Sequence, residues 1–455
     1  MTENVVKAAA PKVKVRINWL YTIIFGVWGA SWSVIDGVYH NYLPVFYQAG
    51  NPNYNVLGAS AAVGFGLGAF ITGLIIAGYN VANALVQPFS AAMSDRAKSR
   101  KTYVVIFGTL AAVFAALLPV GLALIPKQSS GNLSALVIPF VMMVTFGLLM
   151  MICWGIASPA SNGLMYSIVP SSARSMVSSY VAFIGGIAFV VMFLTSNMLY
   201  SINPGLPFWL GAGLLLLTVL AYAFLVKEPK DITLTDEDLE QKGGLNLLPR
   251  ILSLFSAEQK RAIGFVIATK FMAWFGVAGL QTYASSYVIN VLGMNEATAG
   301  NLMALYFVGY LFFVIPAGII SAKIGRKRLL LFGLIATSIA GLVQYLLNSP
   351  TLLYFVLIIG GAANAVVDVM CVPMVTDIAP SKKVMGVTVS ILTSTAVLAS
   401  ILAVPLWGAI IQALGNNYAI PWLGMAISPA IGILFLLQLK GKVGEAKADS
   451  QAENW

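Results

Sequence analysis

Apolar residues in this chain gather in long blocks, and polar residues fall between the blocks instead of alternating with apolar neighbours. Blocks of this size predict helices that cross a bilayer, since about 20 apolar residues at about 1.5 Å each span its hydrocarbon core. Twelve blocks qualify, at about 17–47, 64–92, 102–126, 134–167, 175–200, 206–226, 262–291, 299–320, 329–347, 351–377, 384–412 and 418–439. An even number puts both chain ends on one side. The first block, Asn18 to Tyr47, is too long for a signal-peptide core and has no small-residue cleavage site, so it is expected to remain as a span.

Charge supplies the orientation. If the tails and every second loop are cytoplasmic, that side holds 24 of the 26 Lys and Arg residues; Lys127 lies opposite and Lys270 falls inside a block. So one-sided a distribution is the positive-inside pattern, which makes this a multi-pass protein of the cell membrane with both termini in the cytoplasm. Composition agrees: 9% of the 455 residues are charged and 59% are hydrophobic, against about 25% charged in soluble domains. A soluble enzyme is thereby excluded. The net charge of +10 does not point to nucleic acid, because the basic residues sit between apolar blocks rather than on one polar face. Cys153 and Cys371 lie within blocks, without metal-ligand or CxxC spacing.

The longest polar segment divides six blocks from six. The expected organisation is a tail at 1–16, a six-helix bundle at 17–226, a cytoplasmic linker at 227–261, a second six-helix bundle at 262–440 and a tail at 441–455. The halves echo each other: SDRAKSRK (94–101) after the second block returns as SAKIGRKR (321–328) after the eighth, and VPSSAR (169–174) returns as APSKK (379–383). Two pseudo-symmetric bundles imply a transporter with its site at the midplane between them. The longest external loop runs only from about Gln48 to Ala62, leaving no room for an extramembrane catalytic domain.

These segments resemble the major facilitator superfamily, whose marker is a Gly-x3-Asp-Arg-x-Gly-Arg-Arg type loop. Gly318, Lys323, Gly325, Arg326 and Lys327 fit it, with Ala322 in place of the acid. QPFSAAMSDRAKSR (Gln87 to Arg100) resembles more narrowly the Pro-x5-Ser-Asp-Arg-x2-Ser-Arg signature of the glycoside/pentoside/hexuronide:cation symporters, and segments 158–180 and 271–294 resemble the same family. The resemblance implies an all-α fold of 12 transmembrane helices in two six-helix bundles, with spans 1, 4, 7 and 10 lining a central cavity. It also implies that Asp95, Arg96 and Arg100, with Lys323 and Arg326 in the second copy, gate the cytoplasmic side. Where sodium-coupled members carry two acids in span 2, this chain has Asn83 and Gln87; their sugar-binding acid falls on Asn162, its aromatic partner on Tyr166, and an arginine on Val181. The sucrose- and maltose-like, proton-coupled branch is therefore the closer resemblance, with a proton as coupling ion and no cofactor or metal.

Ionisable groups at the bilayer centre cost on the order of 3 kcal/mol, so each marks a candidate function. Asp36 and His40 share one helical face in span 1, and Trp28 and Trp32 continue it. Span 4 repeats the four-residue stripe with Trp154, Ser158, Asn162 and Tyr166; span 7 carries Lys270, Trp274 and Gln281 with Thr282; span 10 carries Asn364 and Asp368. Aromatic faces, amides and carboxylates together suit a sugar, whose C–H patches pack on rings while its hydroxyls both donate and accept. The expected coupling groups are Asp36, His40, Lys270 and Asp368. Structural roles compete with this: Trp residues belt membrane interfaces, Asn and Gln tie helices together, and Lys can snorkel.

The expectation is a monomeric importer of a glycoside or disaccharide with a coupled proton, in contact with lipid and not with nucleic acid. The alternatives are an exporter of hydrophobic or cationic compounds on the same fold, a sodium-coupled sugar symporter, a membrane-embedded enzyme, or a channel. An enzyme would need carboxylates and metal or His ligands clustered at one interface, whereas the single His of this chain lies within a block.

Overall fold

The computed structural model of the chain describes residues 17–48, 65, 69–97, 99–123, 133–203, 205–229, 247–294, 296–415 and 417–439. Both tails, Lys127, linker residues 230–246 and most of the Gln48–Ala62 loop lie outside them, as does the side chain of His40. Twelve long helices form among the described residues: α1 (Trp19–Gln48), α2 (Ala69–Arg96), α3 (Arg100–Leu117), α4 (Leu133–Ile168), α5 (Arg174–Ile202), α6 (Leu206–Leu225), α7 (Ala257–Asn290), α8 (Glu296–Ile324), α9 (Arg326–Leu347), α10 (Pro350–Ile378), α11 (Met385–Ala413) and α12 (Ile420–Leu437). No strand appears among those residues. Ten of these helices are long and apolar enough to cross a membrane. The other two, α1 and α2, match them in length at 30 and 28 residues.

Two boundaries differ from the hydropathy reading for local reasons. Helix α7 begins five residues earlier than the apolar block, because Ser256 and Gln259 cap each other's backbone N–H groups at 3.1 and 2.9 Å. Helix α3 stops at Leu117 and a short turn, Val120–Ala123, follows; Pro119 between them has no N–H to continue the ladder.

The packing repeats. Helix α1 lies against α5 and α6, α4 against α2 and α3, and α3 against α6; adding six to each number gives the neighbours in the second set, α7 with α11 and α12, α10 with α8 and α9, and α9 with α12. The contacts between the sets obey the same rule, α2 with α11 matching α8 with α5, and α4 with α11 matching α10 with α5. This is a pseudo-two-fold arrangement of two six-helix sets. Outward faces are apolar, with Phe224 and Phe312 82% and 80% exposed, as lipid requires. At the seam, α4 and α11 approach so closely that a Cβ on Gly163 would lie 2.7 Å from Gly386 Cα.

Candidate functional site

The wall contributed by α1 and α4 is aromatic. Trp154 stacks on Trp32 with centroids 4.1 Å apart and planes 5° from parallel, and on Trp28 at 5.0 Å and 20°. Trp28 is closed off by Tyr222 of α6, edge-on at 5.5 Å, and is buried, while Trp32 is half-buried. The four-residue spacing predicted this stripe; what the structure adds is that Trp154 stacks on both α1 neighbours, of which Trp32 is the more exposed. Asp36, one turn beyond Trp32, is half-buried, as are Ser158 and Asn162 on α4.

The wall contributed by α7, α8 and α10 is ionic. Lys270 Nζ lies 3.8 Å from Asp368 Oδ1, with the lysine side chain 7% and the aspartate 24% exposed. Trp274, one turn from Lys270 on the same face of α7, donates from Nε1 to Asp368 Oδ1 at 3.1 Å, and the Tyr310 hydroxyl of α8 reaches Oδ2 at 3.5 Å. Val372, one turn closer to the helix end, packs on the core clusters of both bundles, so this face of α10 lies at the seam between them. Asn364 is buried on the same helix and its Oδ1 has no partner among the described residues. Gln281 is half-buried farther along α7.

Asn83 and Gln87 form the seam itself. Gln87 Nε2 donates to Asn83 Oδ1 at 2.9 Å, and Gln87 Oε1 accepts from the hydroxyls of Thr393 and Ser394 of α11 at 2.9 and 3.4 Å. Asn83 Nδ2 points to Met151 Sδ at 3.8 Å. These amides tie α2 to α4 and α11. Tyr166 is likewise engaged, its hydroxyl bonded to Ser178 Oγ at 2.7 Å and its carbonyl accepting from Arg174 at 2.9 Å.

Below both walls, the end of the molecule that carries the basic loops is latched. Asp95, the penultimate residue of α2 and fully buried, pairs with Arg100 at 2.8 Å. Its two oxygens accept the first amides of α11, Gly386 N at 3.1 Å and Val387 N at 2.8 Å, where the helix dipole favours an anion. Arg100 then crosses the seam to the Lys383 carbonyl at 2.6 Å and holds Ser167 of α4, also at 2.6 Å. The second latch centres on Asp377 of α10, which pairs with Arg174 of α5 at 3.0 Å and with Arg326 of α9; Arg326 also donates to Ser175 Oγ at 2.6 Å and to the Ser171 carbonyl at 2.5 Å. Of the five expected gating residues, Asp95, Arg100 and Arg326 are in these latches, whereas Lys323 is exposed and Arg96 half-exposed.

Several participants have no signal in hydropathy. Tyr310, Ser167 and Arg174 enter through tertiary contact, although the VPSSAR/APSKK echo did single out the loop that bears Arg174. Glu228 is another: it caps α3, accepting from Ser99 Oγ at 2.6 Å, Arg100 N at 2.7 Å and Lys101 N at 3.1 Å, and so fixes the backbone from which Arg100 reaches.

Residues 19–300 and 266–454 match the sequence profile described as the Major Facilitator Superfamily. No curated protein sequence matches the chain. Among solved structures it is similar to the proton:xylose symporter XylE bound to 6-bromo-6-deoxy-D-glucose, with 15% identity, a TM-score of 0.70, and 94% of this chain and 98% of that one covered. It is similar to the E. coli fucose:proton symporter FucP at 14% identity and TM-score 0.66, covering 93% and 98%. It is also similar to the human organic anion transporter TETRAN at 15% identity and TM-score 0.69, covering 92% and 99%. At these identities the likeness is one of fold.

Proposed function

This chain belongs to the major facilitator superfamily, and from that premise we propose that it imports a glycoside or disaccharide together with a proton by alternating access. It is a membrane transporter of small molecules and not an enzyme. The sugar reading rests on one observation: a stacked tryptophan platform followed by Asp36 on one wall, and a carboxylate, an ammonium and an indole N–H on the other. A mostly apolar pocket would suit an exporter of hydrophobic compounds instead. The loop from Gln87 to Arg100, with its likeness to the glycoside/pentoside/hexuronide:cation symporters, supports the same cargo.

Asn83 and Gln87 spend their amides on each other and on α11, which argues for a proton over sodium as the coupling ion. Asp368, a quarter exposed and beside Lys270, is the group best positioned to exchange that proton, with Asp36 as the second. The basic end is read as cytoplasmic by the positive-inside pattern, so latches at that end belong to an outward-facing state, and both termini are cytoplasmic. Substrate entry from outside would release the latches as the bundles rock.

The test is uptake of labelled sucrose and maltose into vesicles under an imposed pH gradient. Gradient-driven uptake that is lost in Asp368→Asn and reduced in Asp36→Asn is expected. Uptake indifferent to the gradient, or intact in both variants, would sink proton coupling through these residues.

A further inference from the structure

Lys270 is the one lysine or arginine placed well inside an apolar block, away from both membrane faces. Its side chain is 7% exposed, and its ammonium has a single described contact, Asp368 Oδ1 at 3.8 Å. That separation exceeds hydrogen-bond length, so the three N–H donors are unspent on the described residues. Asp368 is engaged elsewhere as well: its Oδ1 accepts from Trp274 at 3.1 Å and Tyr310 approaches Oδ2 at 3.5 Å. The carboxylate supplies charge balance to the lysine but not hydrogen bonds. A dehydrated ammonium in this condition is costly unless acceptors arrive from elsewhere, and the carboxylate beside it, a quarter exposed, lies on the face of α10 whose next turn, at Val372, packs against the cores of both bundles.

We propose that Lys270 is the oxyanion subsite of the C-terminal wall, so that sugars carrying a carboxylate or phosphate group are preferred over neutral ones. This rests on the sugar reading above and narrows it. The anion end of the cargo takes the free donors of Lys270 in charge-assisted hydrogen bonds. Its ring end packs on Trp32, one turn from Asp36. Asp368 has the complementary task of keeping the ammonium from being an isolated charge when the site is empty.

The test is thermal stabilisation of the purified full-length protein by maltose, by maltobionate, which adds a carboxylate, and by maltose 1-phosphate, with acetate and inorganic phosphate run alone. At least one anionic sugar is expected to bind about tenfold tighter than maltose, with the advantage abolished in Lys270→Gln and kept in Lys270→Arg; the preferred sugar identifies the anion. Lys270→Met serves if the glutamine variant does not fold. Maltose binding as tightly as both anionic sugars, or an advantage that survives in Lys270→Gln, would overturn the subsite while leaving the sugar reading intact. If no sugar binds, the sugar reading falls and the free anions decide the subsite: stabilisation by acetate or phosphate that Lys270→Gln loses upholds it, and none by either overturns it.

Discussion

The two bundles close their shared basic end with an arginine at the head of equivalent helices and with acids in different places. Arg100 heads α3 and Arg326 heads α9, and each reaches across the seam to backbone carbonyls of the other bundle. In the first bundle the acid is Asp95 at the end of α2, and Arg100 meets Ser167 on α4. In the second, Ala322 stands where Asp95 stands in the repeat, and the acid is Asp377, at the place on α10 that matches Ser167. Acid and neutral residue have exchanged positions around an arginine that heads the equivalent helix one place out of the repeat register, in which Lys327 matches Arg100. The pseudo-symmetry is therefore a property of helix packing, and charge balance needs only an acid somewhere within the guanidinium's reach. The exchange has a consequence: Asp95 neutralises one arginine and caps α11, whereas Asp377 serves two arginines, one from each bundle.

The largest effect should come from Asp377→Ala. Breaking a buried ion pair costs about 3–5 kcal/mol, and this change removes the carboxylate shared by two buried arginines, Arg174 and Arg326, so the loss should exceed that range. Asp95→Ala, which strands Arg100 alone, should fall within about 3–5 kcal/mol. Chemical denaturation in detergent measures both, and an equal or reversed order would break the comparison. Restoring the first-bundle arrangement in the second, as Ala322→Asp with Asp377→Ser, sharpens it: Arg326 regains a carboxylate while the one beside Arg174 stays lost, so the double variant should recover part of the Asp377→Ala loss.

The walls differ in the same spirit, aromatic in one bundle and ionic in the other. Trp154→Ala removes the middle ring of the stack, and a buried aromatic truncation costs about 3–5 kcal/mol. Asp368→Asn should cost less, about 1–3 kcal/mol, because its contact with Lys270 is long and the carboxylate is partly exposed. A larger loss for Asp368→Asn than for Trp154→Ala in the same denaturation series would mean that the ion pair, not the stack, holds the walls. Smallest of all is Lys323→Ala: an exposed residue away from the latches should shift stability by under about 0.5 kcal/mol, and a marked effect on latch opening, followed by labelling of a cysteine introduced at buried Val384, would return it to the gate.

Much of the fold was legible in the chain because each helix answers to a local rule. The block from Pro350 to Ile378 is apolar along its length and ends near a basic loop, so its existence and direction follow from hydropathy and charge. The exceptions also had local causes, Pro119 and the Ser256–Gln259 cap. The stripe from Trp28 to Asp36 was readable from its four-residue spacing. What spacing could not reveal is commitment. Gln87, Asn83 and Tyr166 carry the same chemistry as open cavity residues, yet their polar atoms are engaged with Thr393, Met151 and Ser178, partners up to 306 positions away.

By itself, then, the sequence determined that lipid surrounds this chain, how many helices cross it, which end is basic and that the halves repeat, because hydrophobic transfer and charge placement act residue by residue along the chain. Only the tertiary structure decided which polar groups are spent and which remain for a cargo. Whether Lys270 meets Asp368 at hydrogen-bond length or at 3.8 Å depends on how α7, α8 and α10 pack and on where Trp274 and Tyr310 fall, and those separations exist only once distant segments share a core.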